Sequence, residues 1–328
     1  MDNNLDDLFN EDKLKKAIRN GKLMSTIRTI TISLVVTILV IAIGSYLNTK
    51  ISLKLSEQAF KQNEDWVKLT VPNGYISESK DTLGFLGGKG TYKVSKVIGN
   101  KPVLIQENES VFSYFQNNKL LSFLGLSSNY PVTRYQGGYN GNEVGPWPES
   151  YTQTGYRRMM FFHPEINYKG YKNDLSELDK ISDDKIIELA ISFDKPYKQV
   201  DAQFLLGKIV PTWYWLDAYT KEDMNMFKKD ADMYAGAGAY IDEFNALGVN
   251  VKPMYFDTSY NELLSILQNP KLVKYNAIYN EMMAKGYKTY SDVSILGCIV
   301  YGTKSQLKEL IGNPHIKASS FGVITTIY

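Results

Sequence analysis

The amino-acid sequence predicts an α+β protein that is held to a membrane by one helix near its N-terminus. Three observations support this fold class: an uncharged apolar run, short strand patterns separated by Gly, Pro and Asn, and a strand-helix-strand pattern that occurs twice in the C-terminal half. The 328 residues are 44% hydrophobic and 22% charged, which is ordinary for a folded globular body.

The apolar run Thr29–Thr49 has the length of a membrane span. Twenty-one helical residues rise about 31 Å, and the hydrocarbon core of a bilayer is about 30 Å thick. Eleven of the 21 residues are Leu, Ile or Val. A cleaved signal peptide has a shorter apolar region of about 7–15 residues and a small-x-small site, which Ala42-Ile43-Gly44 resembles only weakly. We therefore predict a retained single-pass helix; a cleaved signal and a buried core helix are the alternatives.

Basic residues around the run predict its orientation. Six Lys or Arg residues precede it between Lys13 and Arg28, whereas three lysines follow it between Lys50 and Lys61. Because the more basic flank stays in the cytoplasm, we predict a cytoplasmic N-terminus, a cell-membrane location and an extracellular C-terminal part.

The sequence divides into five predicted segments. They are a cytoplasmic stub (1–28), the transmembrane helix (29–49), a helical stalk (50–65), an extracellular β-rich module (66–165) and a C-terminal α+β domain (166–328). From Trp66 to Phe115, short apolar-polar alternations predict an antiparallel module that starts with the strand WVKLTV and has a hairpin turn at GFLGGKG. Residues 129–150, rich in Gly, Pro and Asn, are typical of a long loop.

The C-terminal segment contains an internal repeat. Its first copy reads KIIELAISFD, KPYKQVDAQFLLG and PTWYWLDAY; its second reads SILGCIVYG, TKSQLKELIGN and IKASSFGVITTIY. Each copy predicts a strand, a helix and a strand. Two such units can form a ferredoxin-like sheet, and residues 257–286 between them predict an inserted pair of helices.

Residues for catalysis or metal binding are scarce. The chain has one cysteine, Cys298, and two histidines, His163 and His315, and none belongs to a known catalytic or zinc-binding motif. We therefore predict no enzymatic activity, no metal and no cofactor. The net charge of +2 without a basic cluster also predicts no direct contact with nucleic acid.

The stub carries apolar residues at helical spacing. Leu5, Leu8 and Phe9 share one helical face, and Leu14 and Ile18 share another. We predict that these five residues bind a partner in the cytoplasm. The alternative is a polar tail that only sets the topology.

A second candidate site lies in the C-terminal half. In a strand, Trp213 and Trp215 share one face and Tyr214 lies on the other. If the tryptophan face is exposed, it could serve as a sensing surface. His163 from the segment FFHP is a further candidate for that surface. The alternative for all three side chains is packing in a core.

The order of these segments resembles the membrane-bound regulators, or anti-sigma factors, of extracytoplasmic-function sigma factors in Gram-positive bacteria. The resemblance is carried by LKKAIRNGKLMSTIRTITISLVV and VPNGYISESKDTLGFLGGKGTYKVSK in the N-terminal part. In the C-terminal part it is carried by FFHP, LAISFDKPY, WYWLDAY, VYGTKSQLKEL and IKASSFGVITTIY. It implies that the inside part holds a sigma factor and that the outside part senses envelope stress or a membrane partner.

The stub departs from better-known members of this group, which carry a longer cytoplasmic domain, often with a zinc site of one His and two Cys. A 28-residue helix buries about 500–700 Å² of its own surface, at the small end for a stable contact. The partner is therefore a sigma factor or a small membrane co-regulator, in addition to the lipid bilayer. The alternative function is an anchored extracellular ligand- or cell-wall-binding domain with no transcriptional role.

Overall fold

The structure is a computed structural model that describes residues 11–115, 150–233, 240–251, 256–269 and 273–326. Three of the predicted partner-binding residues, Leu5, Leu8 and Phe9, lie outside this range, as does most of the predicted loop 129–150. The described residues form a long helix, a three-stranded meander and a C-terminal body built on a five-stranded sheet.

The long helix, α1, spans Glu11–Thr70. Its 60 residues make a rod about 90 Å long. The predicted strand at Trp66 was wrong: residues 66–70 form the last turn of α1, and Val71 follows it directly. Alternation in WVKLTV is typical of a strand, but Val67, Thr70 and Val71 also lie at helical spacing, and all three are buried against the rest of the protein. Tertiary burial therefore decided between the two patterns.

No described part of the protein covers the predicted span. From Ile30 to Leu47 the large apolar side chains are between 50% and 64% exposed. Among the described residues, α1 is the one helix that is long and apolar enough to cross a membrane. An apolar surface of this length needs a lipid environment, so α1 is consistent with a single-pass anchor.

The meander follows α1 and packs against it. It consists of β1 (Gly74–Gly84), β2 (Gly87–Ile98) and β3 (Lys101–Ser113), paired antiparallel in that order. The hairpin turn predicted at GFLGGKG joins β1 to β2. A Cβ at Gly88 would come within 2.9 Å of the Phe112 ring, so the missing side chain lets Phe112 lie across the sheet.

The remaining strands are short segments and one larger sheet. They are β4 (Met160–Phe161), β5 (Lys185–Tyr197), β6 (Trp213–Leu216), β7 (Ile241–Asp242), β8 (Gly248–Asn250), β9 (Ile295–Thr303) and β10 (Ile316–Thr326). The large sheet has the order β10-β5-β9-β6-β8 and every neighbouring pair is antiparallel. Strand β4 pairs with β7, so the chain before residue 165 packs with the C-terminal body.

The other helices are shorter than α1. They are α2 (Gln199–Ala202), α3 (Lys221–Met233), α4 (Phe256–Leu267), α5 (Val273–Ala284) and α6 (Lys304–Leu307), with 3-10 turns at Asp174–Lys180, Glu243–Asn245 and Lys308–Leu310. Helices α4 and α5 agree with the predicted insertion. The two predicted repeat helices, α2 and α6, are single turns, and α6 starts in a capping box between Thr303 and Gln306.

Both faces of the large sheet are covered. Tyr214 packs on one face in a core that includes residues of α4 and α5, whereas Trp213 and Trp215 pack on the other with Met159 and Phe161. The predicted alternation of this strand therefore holds. The second face is closed by β4, β7 and α3, which come from distant parts of the chain.

Candidate functional site at the junction of the helix and the C-terminal body

The three predicted sensing residues lie in the core. His163, Trp213 and Trp215 are no more than 2% exposed. The His163 ring meets the ring of Trp215 edge-on at 6.0 Å, and Trp215 donates its indole N–H to the hydroxyl of Tyr219 at 2.8 Å. The structure thus brings His163 and Trp215 together, but beneath the surface, because α3 and the β4–β7 pair cover the tryptophan face.

Burial determines the charge state of His163. It lowers the pKa of the imidazole to about 4. Nδ1 accepts a hydrogen bond from the backbone N–H of Glu165 at 3.3 Å, and among the described residues Nε2 has no hydrogen-bond partner. A neutral imidazole among aromatic rings is suited to packing, and its titration would disturb that packing.

Of the predicted cytoplasmic contacts, two are described. Leu14 and Ile18 lie one turn apart near the start of α1 and are 54% and 52% exposed. They therefore present an apolar pair that no other described part of the chain covers.

A buried ion cluster, which sequence reasoning missed, joins the meander to the C-terminal body. Lys96 of β2 places its Nζ 3.2 Å from Oε1 of Glu188 on β5 and 3.4 Å from Oε1 of Glu243. All three side chains are no more than 2% exposed. We call these three residues the ion triad. The two glutamates lie 92 and 147 positions from Lys96 in the sequence, so no local pattern identifies the cluster.

Further hydrogen bonds hold the carboxylates of the ion triad in place. Oε2 of Glu188 accepts from the backbone N–H of Val323 at 3.2 Å, and Oε2 of Glu243 accepts from that of Met159 at 2.8 Å. One ammonium faces two carboxylates, so the triad carries a net negative charge when all are ionised. Burial raises the pKa of Glu188, and the nearby Lys96 only partly opposes it. Burial works against the Lys96 ammonium, but the two carboxylates outweigh it and raise its pKa.

The end of α1 is fixed to the same body. Leu69 is 3% exposed and belongs to the core of the large sheet. Lys68 pairs with Glu262 of α4 at 2.6 Å, and Asn73 donates to the hydroxyl of Thr212 at 2.8 Å. Together with the ion triad, these contacts form a junction that joins α1 and the meander to the C-terminal body.

A cavity opens beside this junction. It has a volume of about 390 Å³ and its lining includes Leu69 of α1, Phe227 of α3, Phe244 beside the ion triad, and Tyr275 of α5. A group that enters the cavity would touch both the C-terminal body and the last turn of α1. Within the described part of the chain, no three His, Cys, Asp or Glu side chains are grouped to hold a metal ion.

Comparison with known protein families identifies both regions that the junction connects. The family described as sigma factor regulator N-terminal matches residues 15–103, and the family described as sigma factor regulator C-terminal matches residues 178–323. The chain belongs to the sigma factor regulator family. Neither a curated protein nor a solved structure matches it significantly.

The family assignment places the junction between the two matched regions. Sigma factor regulators control transcription rather than catalyse a reaction, and their partner is a sigma factor. The N-terminal regulator region contains Lys96 and most of α1, whereas the C-terminal region contains Glu188 and Glu243. The ion triad therefore joins the two regions that define this family.

Proposed function

We propose that this sigma factor regulator is a single-pass anti-sigma factor for an extracytoplasmic-function sigma factor. Its N-terminus lies in the cytoplasm and its C-terminal body senses a stimulus outside. The single observation that carries the proposal is the continuity of α1, which runs from the exposed pair Leu14 and Ile18, through the apolar run, into the core at Leu69. A stiff helix can transmit a movement along its length, whereas a flexible linker would absorb it.

The output end is the stub. Leu14 and Ile18, with Leu5, Leu8 and Phe9 ahead of them, offer apolar side chains to a groove on the partner. The contact area is small, and for a partner that is itself bound to the membrane, confinement of both proteins to one bilayer would raise their effective concentration. The same surface also suits a small membrane co-regulator that completes the binding of the sigma factor.

The input end is the C-terminal body. The cavity beside Leu69 and the ion triad both lie where the body holds α1. A ligand or an envelope protein that repacks this junction would shift or rotate the last turn of α1. The predicted sensing residues contribute to the response only indirectly, because Trp215 and His163 are buried and support the sheet face that α3 covers.

The fold offers a scaffold for this role. We propose that β5-α2-β6 and β9-α6-β10 are two ferredoxin-like units with helices reduced to one turn. The antiparallel strand order β10-β5-β9-β6 supports this reading, since the first strands of the two copies lie side by side.

The test compares substitutions at exposed positions of α1 on either side of the apolar run. Leu14→Gln with Ile18→Gln is expected to release the sigma factor and raise transcription from its promoter. The matched control, Leu53→Gln, changes an equally exposed leucine of α1 beyond the span and is expected to leave transcription unchanged. Equal transcription in all strains, including one lacking residues 5–18, would rule out control by the stub.

A second candidate function, an anchored extracellular ligand- or cell-wall-binding domain with no transcriptional role, is favoured by the cavity. Its volume of about 390 Å³ falls in the range of small-molecule sites. Binding of cell-wall glycans or peptides to the full chain in detergent, weakened by Phe227→Ala, would favour this function if the stub variants leave transcription unchanged.

A further inference from the structure

The hairpin that joins β1 to β2 is attached to α1 at the level where the apolar run ends. We call residues 83–87 the hairpin tip. Asn48 donates its Nδ2 to the carbonyl of Gly84 at 2.9 Å and accepts from the N–H of Leu86 at 2.6 Å. One turn further along α1, the hydroxyl of Ser52 donates to the same carbonyl at 3.3 Å and accepts from the N–H of Gly87 at 3.0 Å.

These hydrogen bonds fix the depth of the tip relative to the membrane. Asn48 lies in the last turn of the apolar run Thr29–Thr49. Because a helix rises about 1.5 Å per residue, a tip bonded to Asn48 and Ser52 lies within one turn of the end of the hydrocarbon core. Strands β1 and β2 run back along the helix to this level, so the tip faces the bilayer if α1 spans it.

The side chains at this level are apolar and exposed. Phe85 at the tip is 66% exposed and Leu83 is 38% exposed. At the end of β3, Tyr114 donates its backbone N–H to the carbonyl of Leu86 at 2.9 Å and leaves its side chain 65% exposed. Tyr46 of α1, 62% exposed, completes an aromatic group at one height.

The sequence of the turn is unfavourable for a hairpin in water. Two-residue turns normally carry Asn-Gly or Asp-Gly, which accept a positive φ and hydrate well. Here the two central residues are Phe85 and Leu86, and Leu86 has a φ of 47°, in the left-handed region that a bulky side chain rarely adopts. An apolar environment would stabilise the exposed phenyl ring at this turn, although it would leave the backbone strain at Leu86 unchanged.

We propose that the hairpin tip is a second membrane contact that does not span: Phe85, Leu83 and Tyr114 insert into the interfacial layer of the leaflet on the C-terminal side of α1. The proposal rests on the anchoring of α1, although not on its orientation. Tyr and Trp are enriched at this depth in membrane proteins, where the ring is apolar and its polar edge meets headgroups.

The bilayer is the partner that fits this surface best. The tip is continuous with the lipid-facing surface of α1, and both end at the same helical turn. Lys50 lies 5.7 Å from the Tyr46 ring, and Lys89 of β2 is exposed, so cations suited to lipid phosphates flank the apolar group. Two contacts with one leaflet would fix the tilt of α1 and the height of the C-terminal body, and would make both depend on bilayer thickness.

Tryptophan quenching in reconstituted full-length protein tests the proposal. Phe85→Trp is placed in phosphatidylcholine vesicles that contain lipids brominated on the upper acyl chain, and its emission is compared with that of the unsubstituted chain. The matched control is Tyr75→Trp, near the start of β1, which runs from Gly74 to Gly84. At about 3.3 Å per strand residue, Tyr75 lies about 30 Å from the tip. A positive control, Tyr46→Trp, reports on the span itself.

The two controls separate the possible failures. Tyr75 lies on the same strand as the tip but at its far end. A tryptophan there therefore differs from one at position 85 mainly in its distance from the bilayer. We expect lipid bromination to quench the added emission of Phe85→Trp to a degree comparable with Tyr46→Trp, and to leave Tyr75→Trp unchanged. Quenching of Tyr46→Trp without quenching of Phe85→Trp would overturn the tip contact alone. Absence of quenching at Tyr46→Trp would overturn the anchoring of α1 and the tip contact with it.

Discussion

The two ends of α1 have the same backbone and opposite surroundings. At the N-terminal end, Leu14 and Ile18 are more than half exposed, whereas at the C-terminal end Val67 and Leu69 are no more than 3% exposed. Between them, the large apolar side chains from Ile30 to Leu47 are at least half exposed in the described structure. One end is therefore fixed by tertiary contacts, the middle is suited to lipid, and the other end has apolar side chains available for a partner. Under the proposed function, this helix joins the folded body, which receives the stimulus, to the segment that binds the partner.

The strongest destabilisation is expected at the fixed end. Lys96→Met removes the only ammonium of the ion triad and leaves two buried carboxylates facing each other, which we expect to lower the free energy of unfolding by about 3–5 kcal/mol. Chemical denaturation of the full chain in detergent measures this. Lys93→Met is the matched control on the same strand, since Lys93 makes an exposed pair with Glu78. Equal stability of the two variants would show that the triad does not hold the regions together.

Truncation of the buried side chain at the end of α1 is expected to lower the free energy of unfolding by a similar or smaller amount. Leu69→Ala leaves a cavity in the core of the C-terminal body and should cost about 2–5 kcal/mol. Leu53→Ala on the same helix removes a side chain that is 50% exposed, and we expect little change in the same unfolding measurement. A small loss for Leu69→Ala would mean that α1 is only loosely attached to the body.

The buried imidazole predicts a dependence of stability on pH. In the folded protein the pKa of His163 is lowered to about 4, whereas the ordinary value is 6.5. As the pH falls from about 6.5 to about 4, the unfolded chain binds the proton first, so the free energy of unfolding should fall, by up to about 3 kcal/mol. Glu188 acts in the opposite sense: its pKa is raised in the folded state, so its contribution favours folding at low pH and is lost as the pH rises.

The variant His163→Phe isolates the histidine contribution. It keeps an aromatic ring beside Trp215 and removes the titrating group, so we expect the loss of stability between pH 6.5 and 4 to shrink. Thermal melts at several pH values measure this. His315→Phe is the control, because His315 lies 42% exposed near Asp194. An unchanged pH profile for His163→Phe would show that other groups dominate.

The weakest effect is expected at the hairpin tip. Ser52→Ala removes a buried hydroxyl that bonds the backbone of Gly84 and Gly87, at a cost of about 1 kcal/mol. Hydrogen exchange at the amide of Gly87, measured in detergent, should become faster, while exchange in β5 stays unchanged. Unchanged exchange at Gly87 would indicate that the tip is held by its other contacts.

Local sequence patterns were sufficient to predict those elements whose structure is determined by residues close together in the chain. The apolar run, the β1–β2 turn and the inserted pair α4 and α5 follow from residues close together in the chain. The strand at Trp66 was wrong because WVKLTV satisfies both a strand and a helix pattern, and only burial of Val67 and Val71 against the meander separates them. The repeat helices α2 and α6 are single turns, shorter than the segments KPYKQVDAQFLLG and TKSQLKELIGN predict, and Phe204 and Ile311 near the ends of those segments are exposed.

The candidate site depended more strongly on tertiary structure. Sequence alternation placed Trp213 and Trp215 on one face, but α3 and the β4–β7 pair come from elsewhere in the chain and cover that face. Lys96, Glu188 and Glu243 are ordinary residues in their own segments and become a cluster only when β2 packs against β5.

The long apolar helix, the strand alternation and the inserted helices could thus be derived from the sequence, because they depend on short-range periodicity and hydrophobicity. Only the folded chain shows which faces are buried and which charges meet. Burial and ion pairing depend on contacts between residues that are distant in the sequence, and no local pattern encodes them.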